Sequence, residues 1–199
     1  MADERSDRLG ERATPSKVLA RILDARDTSV GGGSAAALSA AMAAGLLGMV
    51  ARLSVARGLP LPDDRYQAVA TEADELRDGL LEGAAEDAAV YALVKDAYGL
   101  PKETEEQKAA RKTAIDEALI AAATVPRDNA RRAARVLKLC RELAGKSNES
   151  AASDLAVGED LARVGVLGCA GNIDVNVSSV EGSRAADLLG EADELRRLC

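Results

Sequence analysis

The longest uncharged run in the chain covers residues 28–51 and reads TSVGGGSAAALSAAMAAGLLGMVA. Three glycines lie near its start, and small side chains then recur at i+4 spacing on two adjacent rows, with larger apolar residues on another face. Ser34 suits the N-cap position, because its hydroxyl can accept a hydrogen bond from a free backbone N–H. The run predicts a central helix buried on all sides, with its glycine loop inside the protein or at the bottom of a cleft.

Amphipathic periodicity elsewhere predicts seven further helices joined by short connections. Thr14 before Pro15 is a start signal, Thr104-Glu-Glu-Gln107 fits a capping box, and Asp63 or Asp64 can cap the helix that follows the central one. Pro126 predicts the end of one helix and the start of another. The predicted helices cover approximately residues 14–26, 64–98, 104–125, 126–144, 153–167, 169–180 and 183–198, of which the stretch 173–180 is ambiguous between helix and strand.

These patterns predict an all-α fold, a compact bundle of about eight helices around the buried Ala/Gly-rich helix. We expect residues 13–199 to form a single domain and residues 1–12 to form a flexible N-terminal tail. The chain has no Phe, Trp or His and only three Tyr. Its core must therefore come from close contact between helices and not from aromatic packing.

Charge and cysteine content narrow the function classes. The net charge of −7 argues against a nucleic-acid partner, which needs a basic face. Three dispersed cysteines and the lack of His make a metal site improbable, and they favour reduced thiols in the cytoplasm. The central run reaches the length of a membrane span, but it consists mostly of Ala, Gly and Ser, and the N-terminus has no secretory signal. We therefore expect a soluble protein with no membrane partner.

Several segments, in register, resemble one enzyme family. GGGSAAALSAAMAAGLLGMVARLS at residues 31–54 resembles the signature of the formiminotetrahydrofolate cyclodeaminase / methenyltetrahydrofolate cyclohydrolase family. Two positions depart from the family pattern: Val30 stands where Pro is usual, and Arg57-Gly58 replaces a glycine followed by a basic residue. The other matching segments are Asp87-Ala-Ala-Val-Tyr91, Leu100-Pro-Lys102, Ala121–Pro126, Asn148 with Ser153-Asp154, and Asn172-x-x-x-Asn176.

The resemblance implies one-carbon chemistry on a reduced folate, in a homodimer, with no metal or cofactor beyond the tetrahydrofolate substrate. A cyclohydrolase hydrolyses 5,10-methenyltetrahydrofolate to the 10-formyl compound, whereas a cyclodeaminase closes the ring of a 5-formimino compound and releases ammonia. Both reactions move protons. Because the chain has no His, the proton must be carried by a carboxylate, Lys, Tyr, Cys or water.

Asp87 is the predicted catalytic residue, because it matches the functional Asp of the family. Its apolar neighbours could raise its pKa, although an exposed helix carboxylate is the simpler interpretation of the sequence alone. Tyr91, one turn later on the same face, could stack on the pterin or orient the carboxylate.

The remaining candidates are predicted to bind substrate. Backbone N–H groups at Gly31, Gly32, Gly33 and Ser34 can form an anion or carbonyl site, or simply a tight turn. Asn172 and Asn176 could recognise the edge of the pterin or form a structural network. Asp154 matches the family's Asn…Ser-Asp segment, but could equally cap a helix. A basic cluster could attract a polyglutamate tail or be a solvated face; it comprises Arg127, Arg131, Arg132 and Arg135.

The sequence thus favours a cyclohydrolase first and a cyclodeaminase second. The order depends on the expectation that no formiminotransferase domain is fused to this chain to supply the formimino substrate. A non-catalytic helical binding or assembly module on the same scaffold is the alternative from another class, and the departures at Val30 and Arg57 keep it open.

Overall fold

Six α-helices and one short 3₁₀ helix make up the fold in the computed structural model, which describes residues 14–199. No strand occurs among these residues, so the predicted all-α class is confirmed, whereas the predicted tail, residues 1–12, lies outside them. The elements in chain order are α1 (Pro15–Leu23), α2 (Gly32–Ser54), α3 (Asp63–Tyr98), α4 (Glu105–Leu143), the 3₁₀ helix (Glu149–Ala151), α5 (Ala152–Val177) and α6 (Ser183–Arg196).

Helix α2 is the centre of the bundle and packs mainly against α3 and α5, with α4 behind it. It is long and apolar enough to cross a membrane by length and composition alone, yet most of it is buried among the chain's own helices. Its small side chains let α5 approach closely, since a Cβ at Gly165 would lie 2.7 Å from the Cβ of Ala40. The prediction of burial on all sides is wrong along one narrow strip, where Met42, Met49 and Leu53 are exposed.

The helix starts agree with the sequence signals only in part. Thr14 caps α1 by accepting a hydrogen bond from the Lys17 N–H, and the capping box of Thr104 and Gln107 is present at the start of α4. Ser34 is not the N-cap of α2, because the helix already begins at Gly32. Neither Asp63 nor Asp64 caps α3, whose N-cap is Pro62.

Helix α4 continues through Pro126 as a single helix, so the predicted break there is wrong. Proline has no backbone N–H and cannot donate to the carbonyl four residues earlier, which is that of Ala122. The side chain of Asn176 on α5 takes the place of this donor, with its Nδ2 2.8 Å from the Ala122 carbonyl oxygen. A contact between two helices therefore satisfies the group that the proline leaves without a partner.

Helix α5 likewise continues as far as Val177, so most of the segment 173–180, whose conformation was ambiguous in the sequence, is helical, and its last three residues follow the helix. Its buried residues Cys169, Ala170, Ile173 and Val177 recur at helical spacing, and three of them pack against α4 and α6 in a small apolar cluster. The prediction of about eight helices is therefore too high for residues 14–199, because α4 and α5 each join two predicted helices.

Close packing of α2 against α5 gives a test of the core. Gly165→Ala places a methyl group against Ala40, Ala133 and the Ala36 carbonyl oxygen, with no flexible side chain to give way. We expect the free energy of unfolding to fall by about 1–3 kcal/mol, measured by urea titration with circular dichroism.

The matched control is Gly190→Ala in α6, where an added Cβ meets nothing within 4 Å. This change should raise the free energy of unfolding by about 0.5–1 kcal/mol, because alanine favours a helix over glycine. Equal effects of the two variants would contradict the packing described for Gly165.

Candidate active site

A cleft of about 260 Å³ opens between the start of α2 and the facing surfaces of α3, α4 and α5. Of the eleven residues that line it, only Asp87 carries a charge. The lining residues are Thr28, Ser29, Gly31, Gly33, Asp87, Tyr91, Val94, Ala122, Asn172, Val175 and Asn176. A larger cavity of about 430 Å³ lies between the α2–α3 loop and the α4–α5 junction, but none of the predicted site residues lines it. The smaller cleft is therefore the candidate active site.

The carboxylate of Asp87 is held at the first turn of α2. Its Oδ2 accepts a hydrogen bond of 2.7 Å from the Ser34 hydroxyl. Burial raises the pKa of Asp87 above its ordinary value, while hydrogen bonds from the Ser34 hydroxyl and backbone N–H lower it by less. Since the N-cap residue of α2, Gly31, has no side chain to offer, Asp87 supplies from α3 the acceptor that a capping side chain would provide.

Gly33 is the glycine that this contact requires. A Cβ at position 33 would lie between 2.6 and 2.9 Å from the carboxylate atoms of Asp87. At Gly31 and Gly32 a Cβ would meet nothing within 4 Å. Gly32 is exposed and does not line the cleft, so the predicted role of the glycine loop falls mainly on Gly33 and on the backbone around it.

Asn172 and Asn176 form one wall of the cleft and have different surroundings. Asn176 donates from Nδ2 both to the Ala122 carbonyl oxygen and to the Oδ1 of Asn172, at 2.8 and 2.9 Å. This network fixes the orientation of Asn172 and leaves its amide nitrogen without a hydrogen-bond partner among residues 14–199. Asn176 thus connects the helices, and Asn172 can offer its N–H groups to a ligand.

Tyr91 and Asp154, the other two predicted residues, lie in very different places. Tyr91 is half-exposed at the edge of the cleft, one turn beyond Asp87 on α3. Asp154 lies in the first turn of α5, outside the cleft. The 18 residues between Asp154 and Asn172 correspond to about 27 Å along the helix. One chain therefore does not bring Asp154 to this cleft.

The basic residues singled out in the sequence do not line the cleft either. Arg131 pairs with Glu191 on α6, and Arg135 pairs with Glu72 on α3. Arg127 pairs with its neighbour Asp128. These ion pairs favour the interpretation of the cluster as a structural, solvated face.

The lip of the cleft formed by the loop around Asp27 and Ser29 was not predicted from the sequence. Asp27 accepts hydrogen bonds from the Ser29 backbone N–H and from Arg21 Nε, each at 2.8 Å, and Arg21 also donates to the Ser29 hydroxyl. Hydrogen bonds from Ser29 and Arg21 lower the pKa of Asp27 to about 2. An Asp two residues before a Ser in a short loop is a turn signal, and it could have identified this ordered lip.

Cys169 does not line the cleft, but its buried thiol is close enough to Asp87 to be affected by the charge of that carboxylate. Burial raises the pKa of its thiol to about 12, and the nearby charge of Asp87 contributes in the same direction. The thiol is therefore neutral at physiological pH and adds no charge to the cleft. Among residues 14–199, no group of three or more Asp, Glu, Cys or His side chains could hold a metal ion.

Comparisons with known proteins identify the family of this helical fold and cleft. Residues 15–194 match the family model described as Formiminotransferase-cyclodeaminase, and the chain belongs to that family. The resemblance found in the sequence is thus confirmed. A methenyltetrahydrofolate cyclohydrolase from Methylorubrum extorquens is 37% identical over 153 residues, which cover 76% of this chain and 73% of that protein.

Other relatives are longer. The formimidoyltransferase-cyclodeaminase of Mus musculus is 31% identical over 171 residues, which cover 80% of this chain but only 30% of that protein. The crystal structure of formiminotetrahydrofolate cyclodeaminase from Thermotoga maritima has the same fold, with a TM-score of 0.76 at 24% identity. That match covers 87% of this chain and 83% of the other.

The raised pKa of Asp87 predicts a pH-dependent cost in stability. The native state binds this proton more tightly than the unfolded chain does, so stability falls as pH rises from the ordinary value of 3.8 through the raised pKa. The Asp87→Asn variant has no carboxylate to titrate at this position, so it does not lose stability in this way. Its free energy of unfolding, measured by urea titration at a series of pH values, should increase relative to that of the wild type as pH increases.

Glu86→Gln is the matched control, since it removes an exposed carboxylate next to Asp87 on α3. It should leave the pH dependence of the wild type in place. A constant difference between Asp87→Asn and the wild type across the series would contradict the raised pKa.

Proposed function

We propose that this protein is a methenyltetrahydrofolate cyclohydrolase that hydrolyses 5,10-methenyltetrahydrofolate to 10-formyltetrahydrofolate. The observation that carries the proposal is the single half-buried carboxylate of Asp87 in a cleft whose other lining residues are uncharged. The substrate has a positive charge delocalised over N5, the methenyl carbon and N10. An ionised carboxylate in poorly solvated surroundings stabilises such a cation more strongly than one in water. The 37% identity to a protein of this name supports the same assignment.

Ring opening requires one water and three proton movements. Asp87 accepts a proton as the water oxygen bonds to the methenyl carbon, which gives a tetrahedral carbon between N5 and N10. The bond to N5 then breaks while Asp87 returns the proton to that nitrogen. The hydroxyl proton leaves for solvent as the formyl group forms on N10, so the reaction releases one proton overall. These steps require neither a metal ion nor a redox cofactor, and we propose that none is used.

The other lining residues have roles that follow from their positions. The ring of Tyr91 can stack on the pterin at the edge of the cleft. The N–H groups of Asn172 can donate to acceptors on the pterin edge, because Asn176 already fixes the carbonyl side of that amide. Gly33 and the Ser34 hydroxyl keep the Asp87 carboxylate at the start of α2.

Formiminotetrahydrofolate cyclodeaminase activity is the second candidate, supported by the family name and by the relatives called formimidoyltransferase-cyclodeaminases. Its chemistry would use the same carboxylate, since N10 attacks a formimino carbon and ammonia leaves. We place either activity in the cytoplasm, in agreement with the three free cysteines.

Asp87→Asn should reduce cyclohydrolase activity at least about 100-fold, because the variant retains the shape of the side chain but cannot accept a proton. The measurement is the loss of methenyl absorbance when purified protein is added to 5,10-methenyltetrahydrofolate. Glu86→Gln should retain wild-type activity.

The same preparation separates the candidates. Ammonia release from 5-formiminotetrahydrofolate without methenyl hydrolysis would make the protein a cyclodeaminase. A folded wild-type protein that accelerates neither reaction would favour the non-catalytic binding module.

We also propose that the protein is a homodimer, formed through the exposed apolar strip of α2 and the adjacent face of α5. Met42 on α2 and Val157, Val164 and Leu167 on α5 are between 45 and 56% exposed. The two helices are in direct contact, since Gly158 lies next to Leu46. Contiguous exposed apolar surface of this kind is typical of an interface between subunits.

Val164→Glu should shift the protein from dimer to monomer at micromolar concentration in sedimentation velocity, because it places a charge within the proposed interface. Leu189→Glu on α6 is the control and should remain dimeric, since Leu189 lies on another helix. A monomeric wild type, or a dimeric Val164→Glu variant, would contradict the proposed interface.

A further inference from the structure

Two glycines of α3 lie one turn apart in line with Asp87, and polar side chains of α4 cover both of them. A Cβ at Gly79 would lie 3.0 Å from Arg132 Nε. A Cβ at Gly83 would collide with the side-chain amide of Asn129. Positions 79, 83 and 87 follow one another at i+4, so they share one face of the helix. This face of α3 is therefore shaped to admit polar groups from α4.

Asn129 is buried at 0% exposure and is only partly satisfied. Its Oδ1 accepts a hydrogen bond of 3.3 Å from Arg132 Nη1. Because an arginine can only donate, this contact assigns the oxygen and nitrogen of the amide. The Nδ2 atom has no hydrogen-bond partner among the described residues. A buried amide N–H without a partner is costly, so native proteins generally pair such groups with protein or with an ordered water.

The register of α3 and α4 indicates where this nitrogen lies. Residue 79 faces 132 and residue 83 faces 129, so the two helices run antiparallel and Asp87 faces the turn around residues 125 and 126. Asn129, which faces position 83, is therefore offset from Asp87 by about one helical turn, or 5–6 Å, along the axis of α3. Arg132 binds the Oδ1 of Asn129 on the side that faces Gly79. The Nδ2 of Asn129 is therefore on the side that faces Asp87.

We propose that Asn129 is a positioning residue for Asp87 and that an ordered water links its Nδ2 to the Asp87 carboxylate at the floor of the cleft. The water accepts from Asn129 and donates to the carboxylate. The water thereby stabilises the ionised form of Asp87 from the side opposite to the substrate. Arg132 donates to the amide oxygen of Asn129 and so makes the amide N–H a stronger hydrogen-bond donor. The inference deepens the cyclohydrolase proposal and rests on it for the role of ionised Asp87.

The groups that face Asp87 make its environment simple to interpret. Helix α2 offers the Ser34 hydroxyl and backbone N–H, and α5 offers the Cys169 thiol, which remains neutral. Helix α3 contributes Tyr91. On α4, Arg127 follows the facing turn and pairs with Asp128, and Arg132 acts through Asn129. A change at Asn129 should therefore appear directly in the titration of Asp87.

Asn129→Leu retains the size of the side chain and removes the donor. In the free protein, carbon-13 NMR titration of the carboxyl groups should show the pKa of Asp87 raised by about half to one unit relative to the wild type. Asp87→Asn assigns the resonance. In the enzyme, the acid limb of kcat/KM should move to higher pH by the same amount, since a donor to the ionised form has been lost.

Leu139→Ala is the matched control, because Leu139 is fully buried on α4 and its truncation lowers stability without touching the polar row. It should leave the titration of Asp87 unchanged. An unchanged Asp87 titration in Asn129→Leu overturns the proposal. So does an equal shift in Leu139→Ala, which would make the effect one of general destabilisation.

A crystal structure of the wild type at high resolution provides a test that needs no variant to fold. It should show a water within about 3.2 Å of both Asn129 Nδ2 and the Asp87 carboxylate. The absence of a water between Asn129 Nδ2 and the Asp87 carboxylate would overturn the proposal. Because the NMR titration and the crystal structure use the protein without substrate, they separate a failure of this inference from a failure of the proposed catalytic function.

Discussion

The contact between the Asp87 carboxylate and the first turn of α2 is the interaction on which the candidate site depends. Two opposing effects act on the carboxylate, since burial raises its pKa and the hydrogen bonds from Ser34 lower it. The same contact supplies the acceptor that the N-cap residue Gly31 lacks. One interaction therefore stabilises the start of the central helix and keeps a poorly solvated carboxylate facing a cleft. An ionised carboxylate in poorly solvated surroundings lowers the stability of the fold. This cost is tolerated in a site where the charge can bind a cationic substrate.

This contact is possible because the core is built from small side chains. Gly33 lets the carboxylate approach the backbone of α2, and Gly165 lets α5 approach Ala40. The chain contains no Phe or Trp that could fill wider spaces between helices. Close helix spacing therefore gives the bundle its stability, and it brings α2, α3, α4 and α5 near enough to share one narrow cleft.

Local signals predicted the helical class, the caps at Thr14 and Thr104, and the family. They failed at Pro126, because the group that allows α4 to continue is Asn176, 50 residues later in the chain. They failed for Ser34 in a similar way, since a serine after three glycines suits an N-cap, but the partner of its hydroxyl is Asp87 on another helix. Asn129 carried no sequence signal, because a buried amide and an exposed one look alike within an amphipathic helix. Interactions between distant helices decided each of these positions.

The two departures from the family pattern are not equivalent once they are placed in the fold. Arg57 and Gly58 follow the C-terminal end of α2, and the 23 residues of that helix separate them from the cleft by about 34 Å. Their change does not alter the lining of this cleft within one chain. Val30 immediately precedes the N-cap residue Gly31 and is only 7% exposed. Proline and valine both offer an apolar side chain for this buried position. The change at Val30 therefore keeps an apolar contact three residues before Gly33, whereas the change at Arg57 and Gly58 lies at the far end of the same helix.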